Sequence, residues 1–336
     1  MIRHIFAALA ALGIATAAGA QTEVRLALDG PLSAAHAGLA VARAEGLFAG
    51  AGLAVELVGT AGSRDALSRT ALGNYAAAIA DFSTLTEFVY DQPQAPVMGG
   101  LVIEDRAGHA LISRRDAGIA EPADLATRKI GRVRDDEAAR RLPNYASAMG
   151  LAPLSDGYTS FPDTAALVAA LADGSVEAIA ARAAMVLPEL AAAGLGADAL
   201  AVFMLADAPL YHPGRTLALN TEVTTPETAQ ALVDATIAGW QRAAADPAAA
   251  VDALLTLAPG LDAGREAARL EMVLSHNILT DWVLAEGIGM PFNGRLEGAF
   301  AQLQEDPAFV LSINRQWVLD PAYLPPSEAR KIAPAR

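Results

Sequence analysis

Beyond residue 20 the chain carries four histidines, His36, His109, His212 and His276, and no two of them share a metal-ligand spacing. Cysteine is absent, which removes both a thiolate nucleophile and a disulfide framework. There is no G-x-S-x-G elbow and no glycine-rich phosphate loop. Catalysis therefore has little to stand on, and the informative side chains are those suited to holding a small molecule. Asp29 follows the alternating run Val24 to Leu28. It could hydrogen-bond a ligand amine or hydroxyl, or simply turn the chain with Gly30-Pro31. Arg182 follows the largely apolar run Val176 to Ala181, so its guanidinium should emerge at a strand mouth. There it could clamp a carboxylate or sulfonate through two parallel hydrogen bonds, or pair with an acidic residue across a cleft.

The elements that must position these groups follow from periodicity. Through the first two thirds, β-type runs switch with helical spacing, the pattern of an α/β protein with mostly parallel strands. Strands are expected at Val24 to Leu28, Leu53 to Val58 and Ala76 to Ala80, with helices at Ala35 to Glu45 and Ser63 to Leu72. A second set has strands at Lys129 to Val133 and Val176 to Ala181, and helices at Asp136 to Met149 and Asp163 to Leu171. Leu72-Gly73-Asn74 leading into Ala78-Ile79-Ala80-Asp81 is echoed by Leu171-Ala172-Asp173-Gly174 leading into Ala178-Ile179-Ala180. Two similar lobes would produce such an echo. Val97 to Ile103 and His109 to Ser113 bridge the halves one way, and Arg215 to Asn220 returns. Two crossings make a hinge, and a cleft between lobes is where small ligands tend to bind. After Asn220 the character is helical: Pro226 to Asp246, Pro247 to Leu257, Asp262 to His276 and Asn293 to Gln304, before an irregular proline-rich end. Pro226 and Pro247 suit first turns, and Asp246 suits a cap.

Composition narrows the class. Of 336 residues, 38 are acidic and 24 basic, a formal net charge of −14 that repels nucleic acid and anionic membrane surfaces. Hydrophobic residues make up 53% of the chain and aromatic ones 5%, so the core must be built from Ala, Leu and Val. Later apolar stretches are interrupted by charge, as by Asp173, Glu177, Arg182, Glu189 and Asp198, so no membrane insertion is expected. Residues 1–20 differ: Arg3, the apolar run Ile5 to Ala18 and Ala18-Gly19-Ala20 form a secretory signal pattern, with cleavage expected after Ala20.

The sequence resembles the periplasmic substrate-binding proteins of ABC importers, in the group that contains thiamine-pyrimidine, riboflavin, taurine, alkanesulfonate and nitrate binders. The resemblance is carried by Leu28-Asp29, His36-Ala37-Gly38-Leu39, Glu45-Gly46-Leu47-Phe48 and the stretch from Gly52 to Val58. Pro122-Ala123-Asp124-Leu125, Gly239-Trp240, Ile278-Leu279-Thr280-Asp281 and Gly287-Ile288-Gly289 support it. It implies a type II two-lobed α/β binding fold, with two crossings forming the hinge. Lobe 1 is expected to comprise residues 21–105 and 217–318, lobe 2 residues 106–216, and a C-terminal tail residues 319–336. It further implies a monomer in the periplasm that captures a small-molecule solute by lobe closure and docks on a membrane permease, with no cofactor. A ligand sensor or adaptor on the same fold is the alternative. An enzyme related to the pyrimidine synthases is a weaker one, since their cysteine-rich motif is missing and Lys129 opens an expected buried strand.

The resemblance also implies positions for the site: the loop Asp29 to His36, the turn Gly62-Ser63, the strand end Asp81-Phe82-Ser83-Thr84, the loop Arg134-Asp135-Asp136, Arg182, and Tyr211-His212. His36 points into the cleft or faces solvent in a first turn. Phe82 stacks on a ring or fills a core. Ser83 and Thr84 touch ligand or cap the following helix, and Arg134 is a clamp or part of a solvated helix start. Glu87 reads as a surface residue, and Trp240 and Trp282 as packing residues. The thiamine-pyrimidine binders often carry tryptophan after the first-loop aspartate, where this chain has Gly30. Arg182 and Arg134 facing the cleft would favour an anion; Phe82 and Tyr211 there would favour a flat heterocycle.

Overall fold

A computed structural model describes residues 21–134, 136–154, 157–290, 294–304 and 314–335. The expected signal segment, Asp135 and Asn293 lie outside the described residues. In chain order, the first half of lobe 1 comprises β1 (Thr22–Leu28), α1 (Ala37–Ala44), α2 (Leu47–Gly50), β2 (Leu53–Gly59), α3 (Ser63–Ala71), β3 (Ala77–Asp81), α4 (Phe82–Asp91) and β4 (Val97–Val102). Lobe 2 follows with β5 (His109–Arg114), β6 (Ile130–Val133), α5 (Glu137–Ala148), β7 (Tyr158–Phe161), α6 (Thr164–Ala172), β8 (Ala178–Arg182), α7 (Ala183–Ala192) and β9 (Leu200–Met204). The chain returns through β10 (Arg215–Asn220) to the helices α8 (Pro226–Ala245), α9 (Pro247–Leu257), α10 (Ala263–Met272), α11 (Asp281–Glu286) and α12 (Gly294–Gln304).

The two sheets share one plan. Their strand orders are β2-β1-β3-β10-β4 and β7-β6-β8-β5-β9. In each, one strand runs against its neighbours: β10 in the first sheet and β5 in the second. Those reversed strands are the ones that enter a lobe from the other. The central strands β3 and β8 are buried at all five positions, as expected of strands covered on both faces. Their alanines keep the layer thin and let helices sit close.

Helix starts are chemically marked. Asp81, Asp136 and Asp163 accept backbone N–H bonds at the starts of α4, α5 and α6, and Thr225, Asp246 and Asp262 do so for α8, α9 and α10. The helix expected to run from Asp262 to His276 changes pitch: α10 ends at Met272 and a π-helical turn spans Val273–Ile278. Periodicity alone did not reveal β7, α7 or β9. α7 follows Arg182 with no Gly or Pro to mark the boundary, and β9 follows the Gly194-Leu195-Gly196 turn in an alanine-rich stretch with no clear alternation. The C-terminal segment is irregular, yet it packs on lobe 1. Leu319 bridges to Gly99, Arg330 donates to the carbonyls of Pro325 and Ile288, and Ile332 is buried in the core.

Trp240, a packing residue as expected, lies buried between α8 and α1. The helices approach so closely that a Cβ placed on Gly239 would stand 2.0 Å from the Gly38 carbonyl oxygen, and one on Gly38 would stand 2.4 Å from the Trp240 ring. Gly239→Ala must therefore push two backbones apart, and urea unfolding should show a loss of about 1–3 kcal/mol, the usual cost of overpacking. A loss no greater than that of an exposed substitution would contradict this contact.

Candidate functional site

The sheets' carboxyl ends face each other across a cleft of about 940 Å³, as open α/β sheets present ligands. Lobe 1 contributes Asp29 and His36 after β1, Thr60 after β2, and Ser63 and Arg64 at the start of α3. Lobe 2 contributes Arg134, Asp136, Glu137 and Arg140 around the start of α5, Thr164 on α6, and Arg182. Arg215, the first residue of β10, lies at the hinge end.

The two crossing segments lie side by side. Gly214 N–H donates to the Glu104 carbonyl at 2.9 Å, Ile103 N–H to Arg215 at 2.8 Å, and Ala107 N–H to His212 at 2.7 Å. Glu104 is fully buried here, and a Cβ on Gly214 would fall 2.3 Å from its Oε2. The glycine leaves the space this carboxylate occupies.

A buried charge network forms the cleft floor. Asp29 Oδ1 meets His36 Nε2 at 2.7 Å, and its Oδ2 accepts from Arg215 Nε at 2.9 Å. Arg215 Nη1 also donates to Glu104 Oε1 at 2.7 Å. Arg182 Nη2 reaches across from lobe 2 to Asp81 Oδ2 at 2.8 Å, while its Nη1 lies 3.6 Å from Glu104 Oε2. His109 Nε2 stands 3.4 Å from Asp81 Oδ2. The Ser33 backbone N–H points at His36 Nδ1 at 3.4 Å, on the opposite side of the ring from Asp29. The aspartate therefore orients the imidazole.

These contacts set the ionisation of the site. Burial alone would raise the Asp29 carboxyl, but Arg215, His36 and Arg182 outweigh it and hold it well below the ordinary range. Asp81 is likewise held well below that range, because His109, Arg182 and Ser83 overcome its burial. Arg182 is desolvated too, yet Asp81, Glu137, Glu104 and Asp29 fix its charge. Asp136 moves the other way. Burial and the neighbouring Glu137 push it up to about 6, only partly offset by His109 and Arg182. His212, buried beside the hinge and near His109 and Arg141, is pushed down to about 4 and stays neutral.

Several expected contacts lie elsewhere. Phe82 is buried in lobe 1 with its ring 5.4 Å from that of Phe300, so it fills a core rather than faces a ligand. Ser83 turns inward, its N–H and hydroxyl both donating to Asp81 Oδ1 at 3.0 and 2.5 Å. Thr84 accepts from Arg140 Nη2 at 3.0 Å. Tyr211 donates to Asp105 at 2.9 Å, and its ring lies 4.2 Å from the Arg295 guanidinium, beneath the hinge. Among the described residues lining the cleft there is no Phe, Tyr or Trp. Glu87 is no free surface residue either, because it binds Arg140 and Arg141 of lobe 2. Asp29, His36, Ser63, Arg134 and Arg182 do border the cleft. Glu104, Arg215 and His109 complete the network without any motif to mark them, although Glu104 and Arg215 flank apolar strand runs just as Arg182 does.

With this geometry in view, the relationships are clear. The architecture is two α/β lobes of matching strand order with a cleft between them. The chain belongs to the NMT1/THI5-like family, whose pattern matches residues 33–250. No curated protein sequence matches it. Among solved structures, it resembles the periplasmic aliphatic sulphonate-binding protein SsuA of Escherichia coli, with 15% identity, a TM-score of 0.67, and coverage of 94% of this chain and 93% of that one. The periplasmic nitrate-binding protein NrtA of Synechocystis shows 13% identity and a TM-score of 0.67, covering 94% and 92%. The alkanesulfonate-binding SsuA of Xanthomonas axonopodis, bound to MOPS, shows 15% identity and a TM-score of 0.63, covering 88% and 95%.

The Asp136 shift has a sign that can be tested. Its folded-state carboxyl keeps a proton up to about pH 6, above the unfolded value of 3.8. Its contribution to stability is thus complete below pH 3.8 and is lost as pH rises through 6. Asp136→Asn, which keeps an oxygen for the α5 cap, should stabilise the protein above pH 6 by on the order of 1 kcal/mol, with the gain vanishing near pH 4. A pH-independent difference in urea unfolding would refute this.

Proposed function

We propose that this protein is the periplasmic solute-binding component of an ABC importer. It works as a single chain whose lobes close on a small polar solute and then dock on a membrane permease. Family membership and the shared architecture support the receptor reading. Export through residues 1–20 fits it, and among the described residues no helix is long and apolar enough to cross a membrane. A binding role is favoured over catalysis because the floor's buried acids and bases are paired with one another, and Asp136, although held near 6, is engaged in capping α5.

One observation carries the ligand reading. α3 starts in the cleft without a side-chain cap, unlike α4, α5 and α6, so its first N–H groups open toward the solute space. Ser63, at that start, is almost fully buried and uses its oxygen to accept the Asp81 N–H at 3.0 Å, leaving its own proton available. Opposite lies Arg182 Nη1, buried and with no hydrogen-bond partner among the described residues. These donors suit a group rich in acceptor oxygens, such as a sulfonate or carboxylate. Asp136 and Glu137 on the other wall suit a donor at the solute's far end. A flat heterocycle held by stacking is disfavoured, since Phe82 and Tyr211 point away and Gly30 offers no ring.

A thermal-shift panel of taurine, alkanesulfonates, nitrate, aromatic carboxylates, thiamine pyrimidines and riboflavin tests this directly. A member present at ten times its dissociation constant should stabilise the protein by roughly 1.4 kcal/mol. A shift with a sulfonate or carboxylate is expected, and Ser63→Ala should then weaken that compound about tenfold by titration calorimetry. No shift with any oxyanion, or a response confined to the pyrimidines or riboflavin, would overturn the ligand class.

A further inference from the structure

α4 presents one stripe of side chains to lobe 2. Asp81, which caps it, and Thr84 and Glu87 within it are spaced three residues apart and so lie along one helix face. Each reaches the other lobe. Asp81 takes Arg182 from the end of β8, Thr84 accepts from Arg140, and Glu87 accepts from both Arg140, at 2.8 Å, and Arg141. Both arginines belong to α5, whose first turn carries Asp136 and Glu137 into the cleft, and Arg140 itself lines the cleft. One turn further along α5, Asn144 Nδ2 donates to the Gln302 carbonyl of α12 at 3.1 Å.

We propose that this face of α4 is a closure latch and that Glu87 is its positioning residue, pinning α5 and its cleft wall against lobe 1. The inference rests on the receptor reading and adds a determinant of affinity outside the solute contacts. Every contact in the latch is between protein groups, so the latch biases the lobes toward closure whether or not a solute is bound. Arg141 is 3% exposed and Glu87 15% exposed as side chains, so closure takes both charges largely out of water. The two charges offset each other's loss of water at this contact, and a neutral side chain at position 87 would weaken the hold of α5 on α4. Apparent affinity scales with the fraction of protein already closed, so a weaker latch weakens capture by the same factor.

The chain contains no cysteine, which permits a clean labelling test. Ala61 and Ala165 are exposed and line opposite sides of the cleft. Spin labels on Ala61→Cys and Ala165→Cys report the gap by electron–electron double resonance, with no solute required. The labelled protein should show a dominant short distance. Adding Glu87→Gln should lower the closed-to-open ratio about tenfold, within the reach of one lost charge-assisted contact. Thr84→Val, which removes the smaller contact and keeps the side chain's shape, should shift the same ratio less. Identical distance distributions in both variants would overturn the latch. Should Glu87→Gln fail to fold, Thr84→Val decides alone, an unchanged distribution again counting against the proposal. Because the readout needs no solute, a failed ligand screen and a failed latch remain distinguishable.

Discussion

The architecture depends on five buried charges at the hinge: Asp29, Asp81 and Glu104 against Arg182 and Arg215. Moving such groups out of water costs several kcal/mol each unless they find one another in good geometry. They come from five separate places in the chain, so satisfying them fixes the ends of β1, β3, β8 and β10 and the first crossing segment together. The two sheets share a strand order, and their corresponding positions meet here. Asp81 and Arg182 end the equivalent strands β3 and β8, and the reversed strands place Arg215 opposite Asp81 and His109 opposite Arg182. The lobes thus join through quasi-equivalent residues of complementary charge.

That constraint shapes what the cleft can offer. Seen alone, Arg182 reads as an anion clamp or as the partner of an acid across the cleft; in the structure most of its valence, and that of Arg215, is spent on Asp81, Asp29 and Glu104. Under the proposed binding role, what remains for a solute is the edge of this network: the open start of α3, the Ser63 hydroxyl and one arm of Arg182. The floor is therefore pre-organised, because its side chains are locked by one another. The α4–α5 contacts continue the same logic up the cleft wall, with charge pairing joining the two lobes.

Much of the scaffold was legible in the sequence because buried parallel strands write themselves as short apolar runs closed by Gly, Asp or Pro. The runs at Val24, Leu53, Val97, His109 and Arg215 became strands with nearly the expected ends. The segment after Arg182 did not read as a helix, since one residue ends β8 and begins α7 with no turn between them. β7 escaped because Tyr158, Thr159 and Ser160 are exposed and lack an apolar pattern. At the site, position was legible and partnership was not. The end of an apolar run locates Arg182 at a strand mouth, but its pairing with Asp81, 101 residues away, depends on how two lobes meet. Phe82 and Tyr211 show the same limit, because an aromatic residue beside a cleft can as easily face a core, and both do.

The most direct test of the central claim is a double-mutant cycle on Asp81→Asn and Arg182→Gln, read by urea unfolding. Each single variant strands a buried charge, so each should cost about 3–5 kcal/mol, while the double variant should be no less stable than either. A coupling of at least about 2 kcal/mol would establish that the two lobes are joined through this pair. Losses that simply add would show that the charges do not depend on each other, and would contradict the account.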